Sequence, residues 1–439
     1  MKKAVPFFFV LFSGSLFFIS CGKGTSLKLP PSKLSTRVMV SQSTTTTTAL
    51  GGLFIIDAKK DKLASAPEIQ AGSSPGMMAI SPNRATLLVY DSTSKAVQVI
   101  NTTTESTTGS IALPGNATSI ILPATTSIGY AAVPTAANNL WSVPGAIEEL
   151  NLTNGGVDTA IGVPGVQTVV SNNNGAQLLA FSPFLSPSVS NQVRVISPLV
   201  AVPPVDQGCE TAPNSVCTAV GGFDQPVTAV FSGNTVYVLN CGAECGGAQA
   251  SVQALDLATL TAGPPLPVDA ATYAFLSGTT LYIAGTSPTN NSCAGQTTAA
   301  TSCGRLDVVD LNSMTVSASY VITDGYHDRM DMSLGGQLFI GASGCTEVGN
   351  VNNPSGEVRG CLSIFNTTNN SVVIPPDNGD VTGLQGFTSR AVEYVVEGNT
   401  LRIYDTTKDA LQTSPPSGGS TAQISLSGQL IDVKAVDFF

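Results

Sequence analysis

Histidine and tryptophan are almost missing from this chain of 439 residues, which contains one of each, His327 and Trp141. Charged residues make up 11% of the chain, and its net charge at pH 7 is −10. Lysine and arginine are scattered along the sequence. We therefore expect no nucleic-acid partner, because binding phosphates requires a basic face. The same scatter predicts no polybasic patch for a membrane surface.

Familiar catalytic signatures are missing as well. The chain has no Gly-x-Ser-x-Gly elbow, His-Glu-x-x-His helix, phosphate loop, dinucleotide fingerprint or calcium loop. Its densest group of ionisable residues contains the candidate catalytic side chains His327, Asp328, Arg329 and Asp331. A histidine beside carboxylates can act as a base or a metal ligand, but such residues also form structural ion-pair networks. The sequence favours a protein without enzymatic activity, cofactor or metal.

The N-terminus has the pattern of an export signal. Two lysines precede an apolar stretch over residues 4–19, which is too short to span a membrane comfortably. The following Phe18-Ile19-Ser20-Cys21 resembles a bacterial lipobox, in which the cysteine is acylated and becomes the new N-terminus. The alternative is ordinary secretion, with Cys21 lost or paired.

This resemblance implies a division of the chain into three parts. Residues 1–20 are a lipoprotein signal peptide, and residues 21–35 are the lipidated Cys21 with a flexible tether. Residues 36–439 are the folded domain. Gly22 resembles the outer-membrane sorting residue, so we expect a protein anchored to the bacterial outer membrane by acyl chains, facing either the periplasm or the cell surface.

Eight further cysteines follow as four neighbouring pairs. In an exported protein, an even number of clustered cysteines indicates disulfide bonds. Proximity predicts the bonds Cys209–Cys217, Cys241–Cys245, Cys293–Cys303 and Cys345–Cys361. The spacing of the second pair would also suit a metal, although no histidine lies near it in sequence.

A repeat runs through the chain after the tether. Eight times, a short apolar run ends in a small polar residue and a turn, at intervals of 39 to 59 residues. This spacing is typical of one four-stranded β-propeller blade per repeat. We predict an all-β propeller with eight blades, or seven if one marker is spurious. The marker residues are Asp57, Asn101, Asn151, Ser197, Asp256, Asp310, Asn366 and Asp405.

Two segments resemble the YVTN-type propeller repeat, with its Ser-Pro-Asp-Gly-like turn and Val-Ile-Asp-Thr-like strand. They are Ser81-Pro82-Asn83-Arg84 and Ile403-Tyr404-Asp405-Thr406. The resemblance extends over most of residues 36–439 and implies the propeller fold more than any activity.

The ends of the chain predict how the ring closes. The apolar segment 431–438 has no partner strands downstream, so we expect it to supply the inner strand of the blade formed by residues 36–70. The long loops, including the cysteine-bearing ones, are expected on one face, with Cys209 and Cys217 in a connection between blades on that same face.

These observations lead to two functional hypotheses. The first is a membrane-anchored lipoprotein whose propeller binds a protein or a glycan through the disulfide-stapled face, with Trp141, Tyr326, His327 and Arg329 as ligand contacts. The second is a hydrolase or lyase acting on a sugar derivative, similar to lactonase-like propellers, with the His327 cluster at its centre.

Overall fold

The computed structural model describes residues 29–43, 51–123, 127–137, 143–197, 207–209, 215–287, 303–345, 360–375, 379–387, 389–416, 418–419 and 422–437. These residues form a ring of eight antiparallel blades, each with four main strands. The chain is therefore an eight-bladed β-propeller, as the repeat predicts.

The strands of the first four blades follow one another along the chain. Blade 1 begins with β1 (Arg37–Ser43), β2 (Gly52–Asp57), β3 (Lys62–Leu63) and β4 (Ile69–Gln70). Blade 2 contains β5 (Pro75–Ile80), β6 (Thr86–Asp91), β7 (Ala96–Asn101) and β8 (Ser106–Ala112). Blade 3 contains β9 (Ser119–Ile121), β10 (Ile128–Val133), β11 (Ala146–Asn151) and β12 (Gly156–Gly162). Blade 4 contains β13 (Thr168–Ser171), β14 (Leu178–Phe181), a short helix α1 (Pro187–Ser190), β15 (Gln192–Ile196), β16 (Gln207–Cys209) and β17 (Ser215–Gly221).

The other four blades complete the ring. Blade 5 contains β18 (Pro226–Ser232), β19 (Thr235–Asn240), a 3-10 helix (Gly242–Cys245), β20 (Ser251–Asp256) and β21 (Thr261–Pro267). Blade 6 contains β22 (Tyr273–Ser277), β23 (Thr280–Ser287), β24 (Cys303–Asp310) and β25 (Thr315–Ile322). Blade 7 contains β26 (Tyr326–Met332), β27 (Gln337–Ser343), β28 (Leu362–Asn366) and β29 (Ser371–Val373). Blade 8 contains β30 (Val381–Gly386), β31 (Val392–Glu397), β32 (Thr400–Asp405), β33 (Ala410–Leu411) and β34 (Gln423–Ile424), and β35 (Gln429–Ala435) returns to blade 1.

The last strand closes the ring. β35 pairs antiparallel with β1, in a register that places Val40 opposite Val433. Blade 1 thus takes its innermost strand from the C-terminus and its other strands from the N-terminus, as the sequence predicts. This arrangement removes two free sheet edges.

Each marker residue ends the third strand of its blade or follows it directly, and the turn that comes next explains why the residue is small and polar. The side-chain oxygen of Asn151 accepts hydrogen bonds from the backbone N–H groups of Thr153 (2.8 Å) and Asn154 (3.0 Å). Asp256 makes the same contacts with Ala258 and Thr259. Such Asx turns satisfy backbone donors where a strand ends.

The core consists of apolar clusters between neighbouring blades. One of them joins blades 8 and 1 and contains Val38, Ile56, Tyr394 and Ile403, all buried. Equivalent clusters lie at the other seven blade junctions. Burial of apolar surface contributes roughly 25 cal/mol per Å², so the ring is stabilised at every junction.

The two faces of the ring carry different connections. Loops between second and third strands emerge, with the blade-to-blade connections, on what we call the upper face; the hairpins joining first to second and third to fourth strands emerge on the lower face. The long loops of blades 3 to 7 join β10 to β11, β14 to β15, β19 to β20, β23 to β24 and β27 to β28. They therefore share the upper face, as expected. In the part of the chain that the structure describes, no helix is long and apolar enough to cross a membrane.

Two disulfide bonds are confirmed, Cys241–Cys245 and Cys345–Cys361. Cys217 is also disulfide-bonded, and the backbone of Cys209 pairs with it. The expected position of these two cysteines is wrong. They lie in the third-to-fourth-strand connection of blade 4 and in its fourth strand, because β16 inserts between β12 and β17 in parallel with both. Cys21 and Cys293 lie outside the described residues, so acylation and the Cys293–Cys303 bond stay predictions.

Candidate ligand-binding cavity in the central channel

The central channel contains a cavity of about 410 Å³. This is within the size range of small-molecule sites. Seven of the eight inner strands, or the residues just before them, contribute to its walls. The lining residues are Met77, Met78, Thr118, Ser119, Ile120, Thr168, Val227, Thr228, Thr272, Tyr273, Tyr326, Asp328, Arg329, Asp432 and Lys434.

A β-bulge aims two charged neighbours into this cavity. In β26, His327 pairs with Ala342 and Arg329 pairs with the adjacent Gly341, so Asp328 is an extra residue in the strand. Regular alternation would place Asp328 and Arg329 on opposite sides of the sheet. The bulge breaks this alternation, and both side chains line the cavity.

Asp328 and Arg329 approach each other without forming a hydrogen bond. The distance from Asp328 Oδ1 to Arg329 Nε is 3.7 Å, and the side chains are 39% and 29% exposed. Within the described residues, neither of these two atoms has a hydrogen-bond partner. Burial raises the pKa of Asp328, and the Arg329 guanidinium acts in the opposite direction. These two atoms are themselves buried, so a ligand would reach the carboxylate and the guanidinium through the exposed parts of the two side chains.

Two tyrosines and a second ion pair complete the polar lining. Tyr326 is 42% exposed, and burial together with nearby Asp328 and Glu244 raises its pKa. Burial also raises the pKa of Tyr273. On β35, Lys434 Nζ contacts Asp432 Oδ1 at 2.9 Å. Because their pKa values are raised, the phenols of Tyr326 and Tyr273 stay protonated at neutral pH and can donate hydrogen bonds.

The threonines of the lining also fasten the inner strands to one another. Thr118 donates to the Gln167 carbonyl of the next blade at 2.6 Å, and Thr272 donates to the His327 carbonyl at 2.8 Å. Their hydroxyl oxygens keep lone pairs for a further donor. The cavity wall is therefore held in place by the same residues that would contact a ligand.

His327 is buried and does not line the cavity, unlike its neighbours Asp328 and Arg329. Its side chain is 0% exposed, and burial lowers its pKa to about 4, opposed in part by the Thr323 carbonyl. Neither ring nitrogen has a partner in hydrogen-bonding geometry among the described residues. A buried neutral imidazole of this kind does not support the hypothesis of a ligand contact or a catalytic base.

Both carboxylate oxygens of Asp331 accept hydrogen bonds from the backbone. One carboxylate oxygen accepts the N–H of Gly386 in blade 8 at 2.7 Å, and the other accepts the N–H of Met332 at 2.8 Å. Trp141 lies outside the described residues. Of the sequence-predicted site residues, the structure thus brings Tyr326, Asp328 and Arg329 to the cavity.

Several lining residues escaped the sequence analysis. Thr118, Thr168, Thr228 and Thr272 lie near the start of four successive inner strands, either just before the strand or within its first three residues. Their distances to the marker residues differ from blade to blade, so the repeat pattern gives no sign of them. Across the described ranges, no group of three or more His, Cys, Asp or Glu side chains is arranged to hold a metal ion.

No protein-family model matches the chain, and no curated protein matches it in sequence. Among solved structures, the fold is similar to dihydro-heme d1 dehydrogenase NirN in complex with DHE, with 9% identity and a TM-score of 0.61 over 93% of this chain and 79% of that one. It is also similar to Kuenenia stuttgartiensis hydrazine synthase, with 13% identity and a TM-score of 0.53 over 76% of this chain and 95% of that one. The Dos1 propeller has 7% identity and a TM-score of 0.54 over 81% and 88%. At such low identity, these likenesses establish the propeller fold alone.

Proposed function

We propose that this chain is a lipid-anchored bacterial envelope protein whose propeller, of the YVTN-repeat type, is a binding module for a glycan. The acyl anchor is at Cys21, and the ligand enters the channel from the upper face. Most lining residues come from the first half of their inner strands, which begin at that face.

The pair formed by Asp328 and Arg329 carries this proposal. A sugar presents hydroxyl groups that both donate and accept, and the partly exposed side chains of the pair place a carboxylate acceptor beside a guanidinium donor. Hydroxyl-bearing threonines and two tyrosines share the cavity lining with the pair, and one of these tyrosines, Tyr326, is 42% exposed. A protein ligand is less well suited, because protein interfaces cover about 800 Å² per partner and this cavity is small and concave.

The alternative of a lactonase-like hydrolase or lyase depended on the His327 cluster. The burial of His327 and the backbone contacts of Asp331 remove the support for that cluster. Binding without turnover is the function that the remaining cavity residues support best.

Binding to an array of bacterial envelope oligosaccharides tests this function. The purified full chain is compared with Arg329→Ala, with the isosteric Asp328→Asn, and with Lys95→Ala, which changes an exposed lysine outside the cavity. We expect Arg329→Ala to weaken binding about tenfold or more, because a hydrogen bond to a charged group contributes about 1.5–3 kcal/mol. Lys95→Ala should bind like the native chain.

Two outcomes would contradict the glycan site. One is an absence of binding to every oligosaccharide on the array, and the other is equal binding by all four proteins. The anchor is tested separately, by metabolic labelling with a palmitate analogue. Incorporation should occur in the native chain and be lost in Cys21→Ala.

A further inference from the structure

The lower face of blade 1 carries a concentration of lysines. Of the nine lysines that follow Cys21, six lie between residues 23 and 62. Four of these six are described, and all four are exposed. We call them the lysine edge; they are Lys33, Lys59, Lys60 and Lys62.

The lysine edge lies where the tether reaches the propeller. Lys59 and Lys60 occupy the turn between β2 and β3, a third-to-fourth-strand hairpin and hence on the lower face. A groove of about 460 Å³ is lined by Ser32 and Leu34 on one side and by Lys60 and Lys62 on the other. The start of the described chain is therefore beside these lysines.

Hydrogen bonds hold this part of the chain in place. Ser32 donates to the Glu105 carboxylate through its backbone N–H at 2.7 Å and through its hydroxyl at 2.6 Å. Glu105 belongs to the β7–β8 turn of blade 2, which is also a third-to-fourth-strand hairpin on the lower face. The tether thus joins the propeller at the lower face, opposite the loops that contain the Cys241–Cys245 and Cys345–Cys361 bonds.

Two carboxylates close to the lysine edge have other partners. Asp61 is 0% exposed and accepts from both terminal nitrogens of Arg390 at 2.8 Å. Glu105 forms an ion pair with Arg37 at 2.8 Å. Among the described residues, no ion pair involves Lys59, Lys60 or Lys62. The ammonium charges of the edge are therefore available to an external anion, with Glu68 as an exposed carboxylate nearby.

We propose that the lysine edge docks on an anionic phospholipid membrane. This inference rests on the proposed acyl anchor at Cys21. Seven residues lie between Cys21 and Leu29, so the eight residue-to-residue steps of a fully extended tether span at most about 28 Å. The anchor keeps the edge close to the bilayer, and lysines within about one Debye length, roughly 10 Å, are attracted to anionic headgroups. This proposal replaces the expectation, drawn from the scattered basic residues, that the protein has no polybasic patch for a membrane surface.

Docking in this way fixes the orientation of the propeller. With its lower face on the bilayer, the upper face and the mouth of the cavity point away from the membrane. Lys95 lies in the β6–β7 turn, which joins second to third strands, and so it belongs to the upper face and is exposed. It is an internal control for any reagent that reports lysine accessibility.

The test is lysine acetylation of the full acylated chain on vesicles, read by mass spectrometry. Vesicles of phosphatidylcholine alone are compared with vesicles that also contain phosphatidylglycerol. On the anionic vesicles, we expect labelling of Lys59, Lys60 and Lys62 to fall roughly fivefold, and to recover at about 1 M salt, where the Debye length is about 3 Å. Labelling of Lys95 should stay constant.

A triple variant, Lys59→Gln with Lys60→Gln and Lys62→Gln, should abolish the protection of Lys33, whereas Lys95→Gln should leave it intact. Flotation of the native chain with both kinds of vesicle, but with equal labelling on each, would overturn docking and leave the anchor standing. Protection of Lys95 in place of the lysine edge would overturn it too. Failure to float with either vesicle would overturn the anchor and, with it, the docking inference.

Discussion

Arg37 and Asp437 join the two ends of the propeller in one bidentate contact. Arg37 Nε donates to Asp437 Oδ2 at 2.9 Å and Arg37 Nη2 donates to Oδ1 at 2.7 Å, across 400 residues of sequence. The same guanidinium reaches Glu105 at 2.8 Å. Blade 1 is thereby fastened both to the C-terminus and to blade 2.

Arg37→Ala should destabilise the ring. Removing one partner of a buried ion pair leaves the other charge buried, at a cost of about 3 kcal/mol, and the Arg37 and Glu105 side chains are 5% and 3% exposed. The measurement is the free energy of unfolding in urea. The matched control is Lys408→Ala, whose ion pair with Asp405 has a lysine that is 54% exposed and should contribute less than about 0.5 kcal/mol. Equal effects of the two variants would contradict this.

Deleting residues 431–439 should lower the melting temperature of the whole domain. The deletion removes most of β35, including Asp432, whose carboxylate accepts the Met78 N–H of blade 2 at 3.0 Å. It also exposes the edge of β1. Asp432→Asn, which keeps the strand, should have a smaller effect. A truncated chain that melts at the same temperature as the intact one would show that closure does not stabilise the ring.

Glu393→Gln should stabilise the protein at neutral pH. Glu393 is 0% exposed, neither carboxylate oxygen has a partner among the described residues, and burial with nearby Asp331 raises its pKa well above the usual range. The folded state therefore retains a proton that the unfolded state releases above about pH 4.3. The contribution of this protonated carboxyl to the free energy of unfolding is complete below that pH. Above it, the free energy of unfolding declines by up to about 1.4 kcal/mol per pH unit, until the pKa of the folded state is reached.

Urea unfolding between pH 4 and pH 8 measures this decline. Glu393→Gln should flatten it, while Glu68→Gln, at an exposed position, should leave it unchanged. If the native chain and Glu393→Gln had the same pH dependence, the folded carboxyl would not be held protonated.

His327→Leu should flatten the acid side of the stability profile. The pKa of buried His327 is lowered to about 4, so below about pH 6.5 the unfolded state binds a proton that the folded state does not. The contribution of neutral His327 to the free energy of unfolding is complete above that pH. It falls by about 3 kcal/mol in total as the pH drops towards 4. Unfolding of the native chain and the variant at pH 5 and pH 7 checks this. Loss of glycan binding in a folded His327→Leu variant would contradict the buried assignment.

The fold was predictable because its signals are local. Each turn after a third strand needs an oxygen that accepts backbone N–H groups, and Asn or Asp supplies it. Ser197 shows the limit of the pattern. The interval from Ser197 to Asp256 is the longest of the series, at 59 residues, and it contains the inserted β16 that moved Cys209 and Cys217 to an unexpected place.

The site was predictable only in part. The segment around His327 was the right one, but strand alternation gives no sign of a bulge, and the bulge decides that Asp328 and Arg329 face the channel while His327 is buried. The lysine edge depends on a hairpin and a tether that meet only in three dimensions. Contacts of this kind depend on the topology of the whole fold, which a local sequence pattern does not encode.

The position of β35 has a consequence for biosynthesis. Chains emerge from the ribosome N-terminus first, at about 5–20 residues per second, so the strands of blade 1 must wait for the whole remaining chain before their inner neighbour exists. The ring is thus closed last, and until then the unpaired β1 is the segment that a chaperone would have to protect.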